Sequence, residues 1–271
     1  MCVALDDNTL KLCDVTTGDH RLTLEGHDGE VNCCAFSSEG STIISASDDK
    51  TIKLWNAASG AVVRTLEGDT SCVIFCAFGP DGRFICSGSI DNSLKLWDAA
   101  NGECQRVLDG HADWVRCCAY STDGATVLSG SSDKTLKLWS VATGACIRTF
   151  DGHTGSVVTC CFSPADGNTI LSCSWDKTLK LWDATTGMCR RTLTGHTEAV
   201  NGCAFSPIHA NLVLSCSDVT HMKLWDAATG ACTATLVGHA SGVNGCAFSH
   251  DGTIIASGDY SGELKLWRRA L

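Results

Sequence analysis

Apolar positions in this chain come in short bursts separated by turn-forming residues. Between Gly110 and Trp139, two apolar runs, Val115–Tyr120 and 126–128, flank the Ser-Thr-Asp-Gly of 121–124, and a third run, 135–139, follows across Ser-Ser-Asp-Lys. Runs this short, rich in β-branched residues and bounded by Gly, Asp and Ser, predict strands joined by tight turns. A fourth run, Cys146–Phe150, comes after the small-residue turn at 142–144. The pattern therefore predicts four strands, a to d, before the next Gly-His pair begins.

Almost everything else is a copy of this unit. The strand-ending Leu-Trp recurs at Trp55, Trp97, Trp139, Trp182, Trp225 and Trp267, with spacings of 42, 42, 43, 43 and 42 residues. An earlier copy at 9–14 carries Cys13 in the Trp position, which makes seven copies of the third strand. A four-stranded unit cannot bury both faces alone, so neighbours must stack face to face.

A repeat of this length with Gly-His early and Trp-Asp late resembles the WD-repeat family over essentially the whole chain. The resemblance implies an all-β fold, a β-propeller of four-stranded antiparallel blades around a central channel. The blades of this single domain, 1–271, then run 1–26 (partial), 27–68, 69–110, 111–152, 153–195, 196–238 and 239–271 (partial). The first unit begins within strand b at 2–5 and the last stops after strand c. The expectation is seven blades with the first and last incomplete and flanking sequence lost. A six-bladed ring with His20–Leu24 as the outer strand of the last blade, or a fragment of a longer array, stay open.

Composition narrows the partners. Lys+Arg number 20 against 30 Asp+Glu, a net charge of −10 with pI near 5.2, and no basic stripe is visible. Nucleic acid and anionic membrane are therefore not expected as partners, since both need clustered cations to displace counterions. No apolar run approaches the roughly 20 residues of a membrane helix, and the start lacks the features of a signal peptide. A reducing compartment, cytoplasmic or nuclear, and a monomeric propeller are the expectations.

The 19 cysteines follow the repeat. Cys34, Cys76, Cys118, Cys160, Cys203 and Cys246 share one position in the first strand, and Cys104, Cys146, Cys189 and Cys232 share one in the fourth. Adjacent pairs such as Cys33-Cys34 and Cys117-Cys118 would point to opposite faces of a strand. They read as small apolar core fillers, not as a disulfide framework or a metal site. No metal and no cofactor are expected.

The resemblance also implies a buried hydrogen-bonded tetrad in each blade. His111, Ser129, Asp133 and Trp139 hold the places in the opening unit, and chain reversals bring His111 and Asp133 to the same side of the blade. The set repeats as His27, Ser45, Asp49, Trp55 and as His153, Ser172, Asp176, Trp182. Ser, His and Asp together invite a serine-hydrolase reading. Repetition argues against it, because an active site is usually single, and no nucleophile-elbow glycines accompany the serines.

Ser131 shares a strand face with Ser129. The earlier position is Ser in all six later units (Ser45, Ser87, Ser129, Ser172, Ser215, Ser257) and is preferred. Departures from the set are Asp69 for His in the third unit, Val219 and Ser261 for Asp in the sixth and seventh, and Cys13 for Trp in the first. They predict that blades one, three, six and seven are held less tightly than two, four and five.

Strand alternation opens the d–a loops and b–c turns on one face, where WD-repeat proteins commonly bind partners. The positions at the start of strand a and just before the turn Asp give an uneven surface. Blades one and two offer Asp6, Glu30, Asn32 and Asp48, and blades six and seven Asn201, Asp218, Asn244 and Tyr260. Blades three to five offer Ile74, Ile90, Trp114, Arg116, Val158 and Trp175. The expected partner-binding residues are Trp114, Arg116, Trp175, Ile74, Ile90, Val158, Tyr260 and Asp48. Trp114 and Trp175 are the two of the eight tryptophans outside the repeat position, and Trp and Arg dominate interface hot spots. The competing reading lays both rings flat against neighbouring blades.

A phosphopeptide reader would need several convergent arginines. Only Arg116 qualifies, since Arg64, Arg106, Arg148 and Arg190 fall on outer strands. The expected function is a non-catalytic scaffold for a protein or peptide ligand. The alternative is the sensor or regulatory module of a larger signalling protein, such as a repeat-bearing signalling ATPase. No phosphate loop, unrepeated Cys-His, paired-carboxylate arrangement or metal spacing speaks for an enzyme.

Overall fold

The computed structural model describes residues 1–268, in which 26 strands and their turns account for all regular structure. The strands form seven antiparallel sheets, five of four strands and two of three, which are the blades of a β-propeller. Blade five shows the plan, with strand a at Val157–Phe162, b at Thr169–Ser174, c at Leu179–Asp183 and d at Cys189–Leu193. Strand b pairs with both neighbours through Cys160↔Ser172 and Ser172↔Lys180, and c with d through Leu179↔Leu193.

Burial explains the composition of each strand. Five of the six residues of strand b are buried, because both of its faces are covered, and such strands read as near-continuous apolar or small runs. Strand d buries only Leu193 of its five residues and is otherwise polar. Strand b is longer than the apolar run suggests. In blade four it spans Thr126–Ser131, not 126–128, because Ser129 and Ser131 pair with Cys118 and Val115 of strand a.

The b–c turns depend on one strained residue. Lys50, Lys134 and Lys177 and the equivalent Asn8 and Asn92 have φ between +68° and +74°. This left-handed conformation costs a non-glycine residue about 1–2 kcal/mol. The turn Asp offsets it: Asp176 Oδ1 accepts from the Thr178 backbone N–H at 2.9 Å and its hydroxyl at 2.6 Å.

The chain divides into two units. The first, residues 1–133 and 137–148, carries blades one to four. Blade one has strands Cys2–Ala4, Leu10–Cys13 and His20–Leu24, and the last of these pairs with the second through Leu10↔Leu24. That pairing overturns the six-bladed alternative, since His20–Leu24 is the outer strand of blade one. Apolar clusters fill the spaces between consecutive sheets. Leu10, Leu24, Val31, Ile43 and Trp55 join blades one and two, and Ile44, Ile52, Val73, Ile85 and Trp97 join two and three. Cys86, Leu94, Val115, Cys118 and Trp139 join three and four.

The second unit, 134–136 and 149 onward, carries blades five to seven. Leu171, Leu179, Val200, Val213 and Trp225 lie between blades five and six, and Leu214, Met222, Val243 and Ile255 between six and seven. Blade seven has three strands, Val243–Phe248, Ile254–Asp259 and Leu264–Arg268. In each unit buried cysteines, such as Cys86 and Cys118 with sulfurs 3.1 Å apart, sit among these apolar contacts, and none of the 19 is in a disulfide.

Candidate functional site

Four side chains form a continuous chain of hydrogen bonds inside blades two, four and five. In blade two Trp55 Nε1 lies 2.8 Å from Ser45 Oγ, which lies 2.7 Å from His27 Nε2, and His27 Nδ1 lies 2.6 Å from Asp49 Oδ2. Blade four repeats this with Trp139, Ser129, His111 and Asp133 at 2.8, 2.7 and 2.7 Å. Blade five does so with Trp182, Ser172, His153 and Asp176 at 2.8, 2.8 and 2.7 Å.

Proton bookkeeping fixes the direction. An indole N–H can only donate and an ionised carboxylate can only accept. The serine hydroxyl therefore receives the indole proton and donates to Nε2, while Nδ1–H donates to the aspartate. Burial favours the neutral imidazole and draws the His27 pKa below its usual value, with Asp49 partly opposing. Burial pushes the Asp49 and Asp176 carboxyls up, but the bonds from Thr51 with His27, and from His153 with Thr178, take both below the usual range.

The two serines of strand b do different jobs. Ser129 belongs to the chain above, whereas Ser131 donates to the Asp113 carbonyl at 2.8 Å and accepts the Asp133 N–H at 3.0 Å. The glycine before the histidine serves the tryptophan. Gly110 has φ +151°, and a Cβ there would stand 3.2 Å from Trp139 Cη2. Gly68 faces Trp97 in the same way, but there a Cβ would make ordinary contact at 3.5 Å, and its φ of +135° is what favours glycine before Asp69.

The departures have separate structural answers. In blade three Trp97 still donates to Ser87 at 2.9 Å, but Asp69 accepts from the buried Lys95 ammonium, which also reaches Asp91 at 3.4 Å. In blade six His196 Nε2 lies 2.7 Å from Ser215, Val219 stands where the aspartate would be, and buried Nδ1 has no partner. Burial, with Lys223 and His221 nearby, drops the His196 pKa to about 4. Blade one has neither the histidine nor the tryptophan.

Blade seven corrects the expectation from Ser261. His239 Nδ1 bonds Asp259 Oδ2 at 3.0 Å, Nε2 bonds Ser257 at 2.6 Å and Trp267 donates to Ser257 at 2.8 Å. Asp259 lies two residues earlier, at the end of strand b. The carboxylate is supplied by the strand and not by the turn.

Exposure separates the predicted partner-binding positions. In the first unit Trp114 is 42% exposed and Arg116 half-buried, with its guanidinium 5.2 Å from the Trp114 ring and Nε donating to Ser132 at 2.6 Å. Burial draws the Arg116 pKa below its usual value. Ile74 and Ile90 are half-buried. Asp48 is exposed, with Oδ1 taken by Asn32, whose amide also donates to the Val73 carbonyl of the next blade.

In the second unit Trp175 is 45% and Tyr260 60% exposed, and Val158 is half-buried. Neither tryptophan is fully covered, although more than half of each surface is. Asn201 repeats the clamp of Asn32, donating to Asp218 at 2.7 Å and to the Val243 carbonyl at 3.2 Å. Tyr260 joins it by donating to Asp218 at 3.1 Å. These asparagine clamps escaped the sequence reading. Their signal was the coincidence of Asn after the first Val of strand a with Asp before the turn in blades two and six only.

A sequence model described as "WD domain, G-beta repeat" matches residues 18–56, 60–98, 102–140, 144–183, 187–226 and 230–268. Each match starts beside strand d of one blade and ends on or just after the tryptophan strand of the next, so 18–56 runs from His20–Leu24 through Ile52–Asn56. Comparison with curated proteins gives no match. With six repeats covering most of its length, the chain belongs to the WD-domain, G-beta repeat family.

Proposed function

We propose that this propeller is a non-catalytic scaffold that binds a protein or peptide on the face formed by its d–a loops and b–c turns. WD propellers are typical interaction scaffolds. The observation that carries the choice of face is the exposure of Trp114, with the Arg116 guanidinium against its ring. An aromatic and an arginine presented together are the side chains most enriched in interface hot spots. Trp175 and Tyr260 offer exposed aromatic surface on the second unit. The Ser-His-Asp sets support structure over catalysis, because Ser45, Ser129 and Ser172 are fully buried and each oxygen already receives an indole proton.

The test is affinity capture from cell extract with the wild type and a Trp114→Ala/Trp175→Ala variant whose folding is checked by circular dichroism. Partners held by the wild type and lost by the folded variant are expected. The same partners retained on both would move the site to the rim or the opposite face.

A further inference from the structure

We propose that His239, Asp259 and Glu263 of blade seven form a binding site for a divalent transition cation of the Zn²⁺ class. Each residue presents one ligand atom, and all three atoms lie within 4.8 Å of one another. His239 Nδ1 is 3.0 Å from Asp259 Oδ2 and 3.8 Å from Glu263 Oε2. Ligands about 2.0–2.1 Å from a tetrahedral zinc stand about 3.3–3.4 Å apart. The observed separations bracket that spacing.

The remaining atoms of each ligand are already held. Asp259 Oδ1 accepts from the Ser261 hydroxyl at 2.6 Å and from the Ser261 and Glu263 backbone N–H groups at 3.0 Å. Glu263 Oε1 takes Lys265 at 2.7 Å. His239 Nε2 is tied to Ser257, which Trp267 holds in turn. Outer bonds of this kind orient metal ligands. Without an ion, Nδ1–H bonds Asp259 Oδ2; the cation would replace that proton between the two atoms, Nε2–H then donating to Ser257, with Glu263 Oε2 as the third ligand.

The arrangement follows from two departures in this blade. Moving the carboxylate from the turn to strand b brings in Asp259, and Glu263 occupies the place of Thr51 and Thr178. Those threonines donate to the turn aspartate and supply no carboxylate. Among the described residues, no other His, Cys, Asp and Glu set of three converges this way. Two carboxylates and a neutral imidazole match a dication in charge, with imidazole nitrogen selecting zinc over calcium or magnesium. Glu263 is 43% exposed on its side chain and gives the ion an entry path. The ion would lace the d–a loop to the end of strand b and the b–c turn in one of the two three-stranded blades.

The test is calorimetric titration of the whole chain with Zn²⁺ alone, paired with Co²⁺ absorption to separate this site from the thiols. Glu263→Thr restores the residue of blades two and five, and Glu263→Gln is the substitute should that variant not fold. One equivalent of Zn²⁺ should bind the wild type. Loss of an outer-shell partner costs about 10–100-fold in affinity, so loss of Glu263 should cost at least ~10-fold. The Co²⁺ complex should lack the sulfur-to-cobalt charge-transfer band. Equal affinity in wild type and variant, a thiolate band, or no saturable binding to the wild type would each overturn the site.

Discussion

Lys95 donates its ammonium to Asp69 in the interior of blade three, where blades two, four and five set an imidazole against a carboxylate. Two sequence changes make this possible. In blades two, five and six the equivalent lysine donates to a threonine of strand d, Lys53 to Thr65, Lys180 to Thr192 and Lys223 to Thr235. The strand partner of Lys95 is Val107, which offers no oxygen. Burial alone would lower the Lys95 pKa, but Asp69 and Asp91 reverse this and keep it charged.

Removing one partner of a buried pair strands the other, typically at a cost of about 3–5 kcal/mol. Lys95→Met should therefore lower the urea midpoint sharply, and adding Asp69→Asn should recover part of the loss. A Lys95→Met protein with the wild-type midpoint would show that the pair contributes nothing.

Blade six should be the acid-sensitive blade. The His196 pKa falls to about 4 in the folded chain from an unfolded value near 6.5. The unfolded chain thus binds the proton more readily, and stability present above pH ~6.5 is lost as pH falls towards 4. Each pKa unit is worth about 1.4 kcal/mol, so the loss is on the order of 3 kcal/mol. Val219→Asp, which gives Nδ1 an acceptor, should raise stability at pH 7 by roughly 1 kcal/mol and flatten the decline. Urea titrations at pH 7, 6 and 5 measure both effects.

The glycine–tryptophan contact is separable from backbone strain. Gly110→Ala meets a φ of +151° with the Trp139 ring at 3.2 Å, whereas Gly68→Ala meets a φ of +135° with the Trp97 ring at an ordinary 3.5 Å. Both substitutions strain the backbone, and Gly110→Ala should lower the thermal midpoint further. Equal shifts in thermal midpoint would assign no role to the ring.

Amide exchange should rank strand b of blade six, Leu212–Ser217, as less protected than Thr169–Ser174 of blade five. Blade seven's Ile254–Asp259 has its full set of side-chain bonds but lacks a fourth strand in the sheet, which places it between the two. Uniform protection across the three would detach local stability from the side-chain bonds.

The blades were legible because the repeat prints the same answer many times. Short apolar runs, turn residues and the Leu-Trp landmark agree in six of the seven copies, so register errors have nowhere to hide. Single departures were harder to read. Ser261 looked like a lost aspartate because position was compared residue by residue, while Asp259 reaches the same imidazole from one strand position earlier on that face. Lys95 was invisible for a related reason: its turn inward depends on Val107, a partner set by sheet register and not by neighbourhood in sequence.

The fully buried polar chains close inside a single blade, and the surfaces between consecutive blades of each unit are filled by Leu, Ile, Val, Cys and Trp. A copied blade therefore arrives with its buried donors and acceptors already matched to each other. What it must find in its new neighbour is shape, which close-packed cores accept from many apolar combinations as long as volume is conserved. Growth by duplication is thereby made tolerable, and each copy is left free to drift at its loops without exposing an unmatched proton.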